Sequence, residues 1–211
     1  MQNMTVSITP CCKNILHKTP GLFRQWVLSL LTWLCLVGAA HAGHIEPSRA
    51  ALLATDDGYA LSADFHIELG NRVEDAVVRG LALYFNLEFE LTRPRWYWSN
   101  EHVAAKTLTY RLSYNPLTRQ YRLATGSLYR SFDTLGDALK AVGRVSALPV
   151  LDKGILKSGE SYMAAVRLSL DRSQLPKPFQ LDAFGNRDWD VTAKVYRWQP
   201  MPASLTGGDG K

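Results

Sequence analysis

The fold of this protein is decided by one stretch of sequence, residues 81–92, which read LALYFNLEFELT. Every odd-numbered position from Leu81 to Leu91 is leucine or phenylalanine, whereas the even-numbered positions from Asn86 to Thr92 are polar. Because successive side chains of a β-strand point to opposite faces, this period of two predicts a strand with one buried and one solvent-facing side. The stretch therefore indicates half-buried β-structure rather than helix.

The same alternation recurs along the rest of the chain. Apolar and polar residues alternate in five more segments, at residues 59–69, 108–114, 121–125, 162–170 and 189–195. A further strand near Arg49–Ala54 leads into the turn signal Thr55–Gly58, and Asn115–Thr118 is a second turn signal. Seven or more antiparallel strands with turns about every ten residues predict a mainly β fold, an antiparallel β-sandwich that is Ig-like in outline.

Two short helices are predicted to interrupt the strands. Asn71 followed by Glu74 resembles a capping box, and Gly80 is a natural stop. Thr134 followed by Asp137 starts the second helix, which ends at Gly143. We therefore expect one β-sandwich domain over residues 43–199 with two helical insertions, followed by a disordered tail at residues 200–211.

Residues 1–42 have the pattern of a secretory signal peptide. Basic residues precede an apolar run, Trp26–Ala40, and Ala40-His41-Ala42 supplies a small-x-small cleavage site before Gly43. The run is shorter than the roughly 17–25 residues that a membrane span needs, which favours cleavage over an uncleaved signal anchor. The sequence thus predicts a periplasmic protein, or one anchored in the inner membrane if the segment is retained.

Removing this leader changes what the composition implies. The whole chain is 46% hydrophobic and 20% charged, which excludes a disordered protein. Without residues 1–42 its formal charge falls from +5 to +2, so the exported domain gives no reason to expect nucleic acid as a partner. The three cysteines, Cys11, Cys12 and Cys35, leave with the leader, which excludes disulfides and thiolate chemistry in residues 43–211. No motif for a cofactor is recognisable.

The most unusual stretch is Arg93-Pro94-Arg95-Trp96-Tyr97-Trp98. An unbroken strand would bury both arginines, which is costly without partners. One interpretation is that a bulge at Pro94 flips the register, so that Trp96 and Trp98 cap the core and the arginines lie at its rim. The other is an exposed aromatic–guanidinium patch suited to sugar, peptide or carboxylate ligands.

A second basic group flanks the turn at Asn115–Thr118. Arg111, Arg119 and Arg122 would form a patch beside Tyr114 and Tyr121. Such charges either protect the hairpin edge or form a ligand surface. The candidate ligand- or partner-binding residues are accordingly Arg93, Arg95, Trp96, Trp98, Arg111, Arg119 and Arg122.

Metal-binding and catalytic patterns are weak. Asp64, His66 and Glu68 share one strand face, with neighbours about 6.5–7 Å apart, and would either converge on a metal ion or form a solvated surface. Glu88 and Glu90 would serve as an acid–base pair or as plain surface carboxylates. A Gly-x-Ser-x-Gly elbow and a glycine-rich phosphate loop are both missing from the sequence. We therefore assign no catalytic residue and no metal ligand.

Three motifs carry a family resemblance: Leu91-x-Arg93-x-Arg95-Trp96-x-Trp98, residues 111–122 (RLSYNPLTRQYR), and Leu175-Pro176-x-Pro178-x-Gln180. They resemble the proteobacterial domain-of-unknown-function family 4390, over nearly the whole chain after the leader. Members are typically exported single-domain envelope proteins without an assigned activity, and their genes often lie beside a sensor histidine kinase pair and an rRNA methyltransferase. The resemblance implies a role near membrane signalling and supplies no catalytic residues. Asn115 stands where many members carry His.

These observations favour an exported, non-enzymatic binding or accessory module. Its partner would be a membrane sensor protein or another envelope component, and membrane contact would come only through an uncleaved N-terminal segment. Two alternatives stay open. One is a hydrolase of envelope glycan or peptide that uses Glu88 and Glu90 or a metal at Asp64, His66 and Glu68. The other is a purely structural envelope component.

Overall fold

The computed structural model describes residues 43–97, 99–157, 159–185 and 187–200. The predicted leader, residues 201–211 of the predicted tail, and Trp98 lie outside the described residues. The strands in chain order are β1 (His44–Thr55), β2 (Gly58–Glu68), β3 (Leu83–Arg93), β4 (Glu101–Asn115), β5 (Gln120–Thr125), β6 (Leu128–Phe132), β7 (Arg144–Asp152), β8 (Met163–Leu170) and β9 (Tyr196–Trp198). The helices are α1 (Asn71–Val78), α2 (Leu135–Gly143) and α3 (Lys177–Gly185).

The strands form two antiparallel sheets, which confirms the predicted mainly β class. One sheet has the order β1-β2-β7 and the other the order β6-β5-β4-β3-β8-β9. Most of residues 81–92 lies in β3, which pairs with β4 on one side and β8 on the other. Its apolar positions Leu83, Phe85, Leu87, Phe89 and Leu91 are all buried. The period of two therefore placed the correct face of this strand in the core.

Both sheets contribute to one hydrophobic core. Leu61 from β2, Phe85 and Phe89 from β3, and Leu168 from β8 belong to the same cluster of buried residues. Burying a side chain of this size stabilises the folded state by about 1.5–3 kcal/mol relative to leaving it in water. The described domain is thus held together by apolar packing between sheets and helices.

The second predicted helix is confirmed in detail. The Thr134 hydroxyl accepts a hydrogen bond from the Asp137 backbone N–H at 3.1 Å, as an N-cap residue should. The buried face of α2 carries Ala138, Leu139 and Val142. This helix was predictable because its cap and its apolar spacing are both local in the sequence.

The first helix begins differently from the prediction. Its N-cap is Gly70 and makes no side-chain hydrogen bond, so the capping box expected at Asn71 is wrong. The Gly70 carbonyl instead accepts from the backbone N–H groups of Val73 and Glu74, at 2.9 and 3.1 Å. The predicted stop at Gly80 is confirmed, because this residue has φ +95° and its N–H donates to the Val77 carbonyl.

A third helix, α3, lies between β8 and β9, so the prediction of two helical insertions was incomplete. Pro176 and Pro178 are compatible with this helix start, because proline is well tolerated in the first helical turn, where the N–H it lacks has no partner. The Pro176 carbonyl accepts from the N–H groups of Phe179 and Gln180, at 2.9 and 3.1 Å. The helix therefore starts at the two prolines.

The prediction of a strand over residues 189–195 is wrong, because this segment has only isolated bridges at Thr192 and Ala193. Residues 187–189 form a 3-10 turn around the buried Trp189, and β9 covers only Tyr196–Trp198. Val191 and Ala193 are nevertheless buried. The Val191 carbonyl accepts from the Leu170 N–H and the Ala193 N–H donates to the Leu168 carbonyl, each at 2.8 Å. The alternation correctly indicated which side chains face the core, but single bridges rather than a regular strand hold them there.

The six-stranded sheet has two ends that are important for the site. The β3–β4 loop, residues 94–100, leaves one end, and the β4–β5 hairpin leaves the other because β4 runs antiparallel to β3. The 11 residues of β3 separate these ends by roughly 35 Å. The chain enters the described region at Gly43, whose α-carbon lies near Val191 and hence near the hairpin end of the sheet.

Candidate ligand-binding surfaces

Trp96 lies in solvent rather than in the core. Strand β3 ends at Arg93, directly before Pro94, which has no N–H with which to extend the ladder. The chain then leaves the sheet, and the Trp96 side chain is 94% exposed. The interpretation in which a register flip turned Trp96 inward is therefore wrong, because the strand stops instead of bulging. The same question for Trp98 lies outside the described residues.

The exposed ring of Trp96 has an aromatic neighbour, Tyr97, which is itself 62% exposed. Their ring centroids are 5.1 Å apart with an interplanar angle of 70°. This edge-to-face arrangement is favourable for aromatic pairs because the positive edge of one ring meets the negative face of the other. Trp96 and Tyr97, hereafter the aromatic tip, thus form one paired apolar surface at the end of the sheet.

The two arginines beside the tip are bound to carboxylates. Arg93 donates from Nε to Glu101 Oε2 at 2.8 Å and from Nη1 to Glu160 Oε2 at 2.6 Å. Arg95 donates from Nη2 to Glu101 Oε2 at 2.5 Å. Glu101 faces Arg93 directly across the β3–β4 ladder, so strand register creates the pair. With an exposed fraction of 28%, the Arg93 side chain is half-buried and has the partners that its burial requires.

Tyr162 connects the loop before β8 to these charges. Its side chain is 4% exposed, and its hydroxyl donates to Glu160 Oε2 at 2.7 Å and accepts from the Lys157 N–H at 3.2 Å. We call Arg93, Arg95, Glu101, Glu160 and Tyr162 the arginine clamp. It joins the end of β3, the start of β4 and the segment before β8, and its Arg95 directly precedes the aromatic tip in the chain.

The electrostatics of the clamp favour its ionised form. Hydrogen bonds from Arg93 and Arg95 lower the pKa of Glu101, and those from Tyr162 and Arg93 lower the pKa of Glu160. Hydrogen bonds to both glutamates raise the pKa of Arg93, and burial raises the pKa of the Tyr162 phenol. Arg93 and Arg95 therefore hold the loop in place, and the exposed surface beside them is aromatic.

The other predicted arginines lie at the far end of the sheet. Arg111 and Arg122 share the outward face, where Arg111 lies 5.9 Å from the ring centroid of Tyr84 and Arg122 lies 5.3 Å from that of Tyr129. Arg119 occupies the β4–β5 turn with φ +53°. The seven predicted binding residues therefore do not form one surface. Those that the structure describes separate into the clamp and tip at one end and a basic group at the hairpin end.

The aromatic partners at the hairpin end also differ from the prediction. Tyr114 and Tyr121 pair with each other across β4 and β5, with ring centroids 4.9 Å apart. They lie in the same facing rows as the buried Leu112 and Leu123, because residues two apart on a strand point to the same side. Both tyrosines pack against the core and cannot accompany outward-facing arginines.

Asp64 and His66 of β2 contact other side chains of this protein. Asp64 accepts a hydrogen bond from Arg49 at 2.9 Å and lies 3.8 Å from Arg144 Nε. His66 Nε2 is 3.2 Å from Glu68 Oε1. In the part of the chain that the structure describes, no group of three or more His, Cys, Asp or Glu side chains is arranged to hold a metal ion.

Glu88 and Glu90 line a cavity of about 590 Å³ on the outward face of the six-stranded sheet. Glu88 Oε2 accepts from Arg167 Nη2 at 2.6 Å, and His102 Nδ1 lies 2.6 Å from Glu90 Oε1. Arg197 also lines the cavity. The sequence did not point to Arg167, His102 or Arg197, because they reach Glu88 and Glu90 through strand pairings that no local pattern specifies.

Comparison with known proteins gives a family and nothing closer. The model of a family described as a domain of unknown function (DUF4390) matches residues 42–199. No curated protein and no solved structure matches the chain. Within the described ranges, no helix combines the length and apolar character needed to cross a membrane.

Proposed function

The chain belongs to the domain-of-unknown-function family DUF4390, and from that starting point we propose that it is a non-enzymatic binding module whose partner docks on the aromatic tip. The observation that carries the proposal is the 94% exposure of Trp96, paired with Tyr97 on a short loop. Tryptophan, tyrosine and arginine are the residues most enriched among the energetic anchors of protein interfaces. A partner that covers the tip removes this apolar surface from water, and that burial favours binding.

The arginine clamp supports this role because it fixes the tip before binding. Arg93 and Arg95 both donate to Glu101, and Arg93 also donates to Glu160 across 67 residues of sequence. A loop that is already ordered loses less conformational entropy when it binds, so more of the contact energy appears as affinity. The clamp thus acts on the aromatic tip by positioning it rather than by contacting the partner.

The cellular setting of the proposal is the periplasm. The leader pattern of residues 1–42 supports export, with the inner-membrane anchor as the outcome if the leader is not cleaved. The resemblance to envelope proteins encoded beside sensor kinases supports a membrane sensor protein or another envelope component as the partner. The core shared by the two sheets supports a β-sandwich of Ig-like outline for this module.

Site-specific photo-crosslinking in cells tests the proposal. A photo-reactive amino acid at position 97 should capture a defined envelope protein, whereas the same amino acid at position 117 should not. Leu117 is a matched control because it is 93% exposed but lies in the hairpin at the opposite end of the sheet. Adding Trp96→Ala to the position-97 protein should reduce the adduct at least about tenfold, as expected for the loss of an interface anchor.

Two outcomes would contradict the proposal. Equal capture from positions 97 and 117 would mean that the aromatic tip has no special affinity. Capture from neither position would indicate a structural envelope component without a docking surface. Thermal unfolding of each variant serves as the folding control, because exposed substitutions should leave the unfolding midpoint unchanged.

A further inference from the structure

We propose that the outward face of β3, β8 and β9 carries a second site, which binds a short zwitterionic peptide. The site is the cavity of about 590 Å³ whose lining includes Glu88, Glu90, Ala165, Arg167 and Arg197. It shares no residue with the aromatic tip or the arginine clamp. Its existence is therefore independent of the partner proposed above.

The cavity arises from one small residue among larger ones. Ala165 pairs with Glu90 on one side and with Arg197 on the other, so the three residues form a row across the sheet. Directly paired residues of antiparallel strands point to the same face. The methyl group of Ala165 therefore lies between two long side chains, and the next row, where Glu88 pairs with Arg167, adds a second pair of long side chains. The result is a depression with an apolar floor and charged walls.

The glutamates in the walls each use one carboxylate oxygen for contacts within the protein. Arg167 donates from Nε and Nη2 to the same oxygen, Glu88 Oε2, at 3.1 and 2.6 Å. His102 Nδ1 contacts Glu90 through Oε1 at 2.6 Å. Among the described residues, no donor is hydrogen-bonded to Glu88 Oε1 or Glu90 Oε2. Each carboxylate is thus held by one oxygen while the other remains available to a ligand.

The opposite wall holds an unused donor. Arg197 is exposed and, within the described part of the chain, makes no hydrogen bond or ion pair. A guanidinium group binds a carboxylate with two parallel hydrogen bonds, which is the strongest polar contact such a side chain makes. An anionic group on a ligand is therefore expected at Arg197, across Ala165 from Glu90.

Charge and size together point to a zwitterion. Two glutamates and two arginines line the cavity, so their formal charges cancel. The acceptor oxygens of the glutamates lie on one side of Ala165, and the donor groups of Arg197 lie on the other. A ligand with an ammonium group at one end and a carboxylate at the other forms charge-assisted hydrogen bonds with both. A volume of about 590 Å³ lies within the usual range for small-ligand sites and accommodates two or three residues.

The apolar lining favours a peptide over a sugar. Met163, Val195 and Ala165 offer aliphatic contacts for small side chains. Among the described lining residues none is Phe, Tyr or Trp, so the cavity lacks the broad apolar ring on which a sugar face would pack. The ligand class is therefore a free dipeptide or tripeptide with charged termini.

Calorimetric titration of protein purified from cells that express the full chain tests this site. The probe is alanyl-alanine, and the matched control ligand is N-acetyl-alanyl-alanine amide, in which both charges are removed. We expect one saturable site for alanyl-alanine and affinity at least about tenfold weaker for the blocked dipeptide, since two charge-assisted contacts are lost. Equal affinity for the two ligands, or no binding of alanyl-alanine at millimolar concentration, would overturn the proposal.

Three variants locate the binding. Arg197→Gln should weaken alanyl-alanine binding at least about tenfold, and Ala165→Leu should abolish it by filling the depression. Arg111→Gln should bind like the unmodified protein, because Arg111 lies on the same face of the sheet but over Tyr84 at the hairpin end. Unchanged binding in Arg197→Gln would refute the assignment. Because Arg197 is exposed and has no partner among the residues that the structure describes, this variant is expected to fold normally.

Discussion

The two ends of the six-stranded sheet both combine arginines with aromatic rings, but they differ in what the arginines contact. At the loop end, Arg93 and Arg95 are bound to Glu101, and the aromatic tip is left in solvent. At the hairpin end, Arg111 and Arg122 lie over tyrosine rings and have no carboxylate partner among the described residues. The comparison shows that residue composition alone does not define a binding surface. The partners that strand register supplies decide which group remains free.

The largest effect is expected from removing the shared acceptor of the clamp. Glu101→Gln leaves Arg93 half-buried without a charged partner on β4, so the urea midpoint should fall further than in any single substitution at the hairpin end. Arg111→Gln is the matched control, because it also removes one charge from a side chain of the same sheet. Similar midpoints for the two variants would mean that the clamp contributes no more than a surface contact.

The same variant should change how stability depends on pH. Glu101 and Glu160 have lowered pKa values in the folded protein, so each contributes stability that is present above its unfolded-state pKa, about 4.3. This stability is lost as the pH falls through the lower, folded-state pKa. Denaturation between about pH 5 and pH 2 should therefore be less steep in Glu101→Gln than in the unmodified protein, whereas Arg111→Gln should keep the original slope.

Sequence reasoning predicted the strands with clear alternation because that signal is local, but it missed β6 and β7. The period of two in β3, the cap at Thr134 and the stop at Gly80 each depend on residues within a few positions of one another. The clamp could not be predicted in this way. Glu101 meets Arg93 through the register of a hairpin, and Glu160 comes from 67 residues away. Neither partner is marked by any pattern around Arg93.

Trp96 was left with two interpretations by the sequence, one buried and one exposed, and the structure shows it exposed. The buried interpretation extended the alternation of β3 past a bulge at Pro94. The structure ends the strand at Arg93, so face arguments no longer apply to Trp96. Proline as a terminator, rather than as a bulge, was the physical signal that would have placed the ring in solvent.

A smaller effect is expected where arginine lies over an aromatic ring. Arg111 is 5.9 Å from the Tyr84 ring centroid in an exposed setting, for which a cation–π contact contributes about 0.5–1 kcal/mol. A double-mutant cycle with Arg111→Gln and Tyr84→Leu, measured by urea denaturation, should give a coupling energy in that range. Strict additivity of the two substitutions would show that the arginine is free to leave the ring and that the hairpin end holds an available cation.

The smallest effect on stability is expected at the residue proposed to matter most for binding. Trp96 is 94% exposed, so Trp96→Ala should change the free energy of unfolding by less than about 0.5 kcal/mol. Equilibrium urea denaturation checks this value, with Leu117→Ala as the control for an equally exposed residue at the other end. A loss of 2 kcal/mol or more, by the scale expected for a large core truncation, would place the ring in the core and remove the basis of the docking proposal. A stable Trp96→Ala protein that no longer captures its partner would instead separate folding from recognition. The clamp accounts for such a result, because its charged pairs hold the loop while the aromatic tip stays exposed for binding.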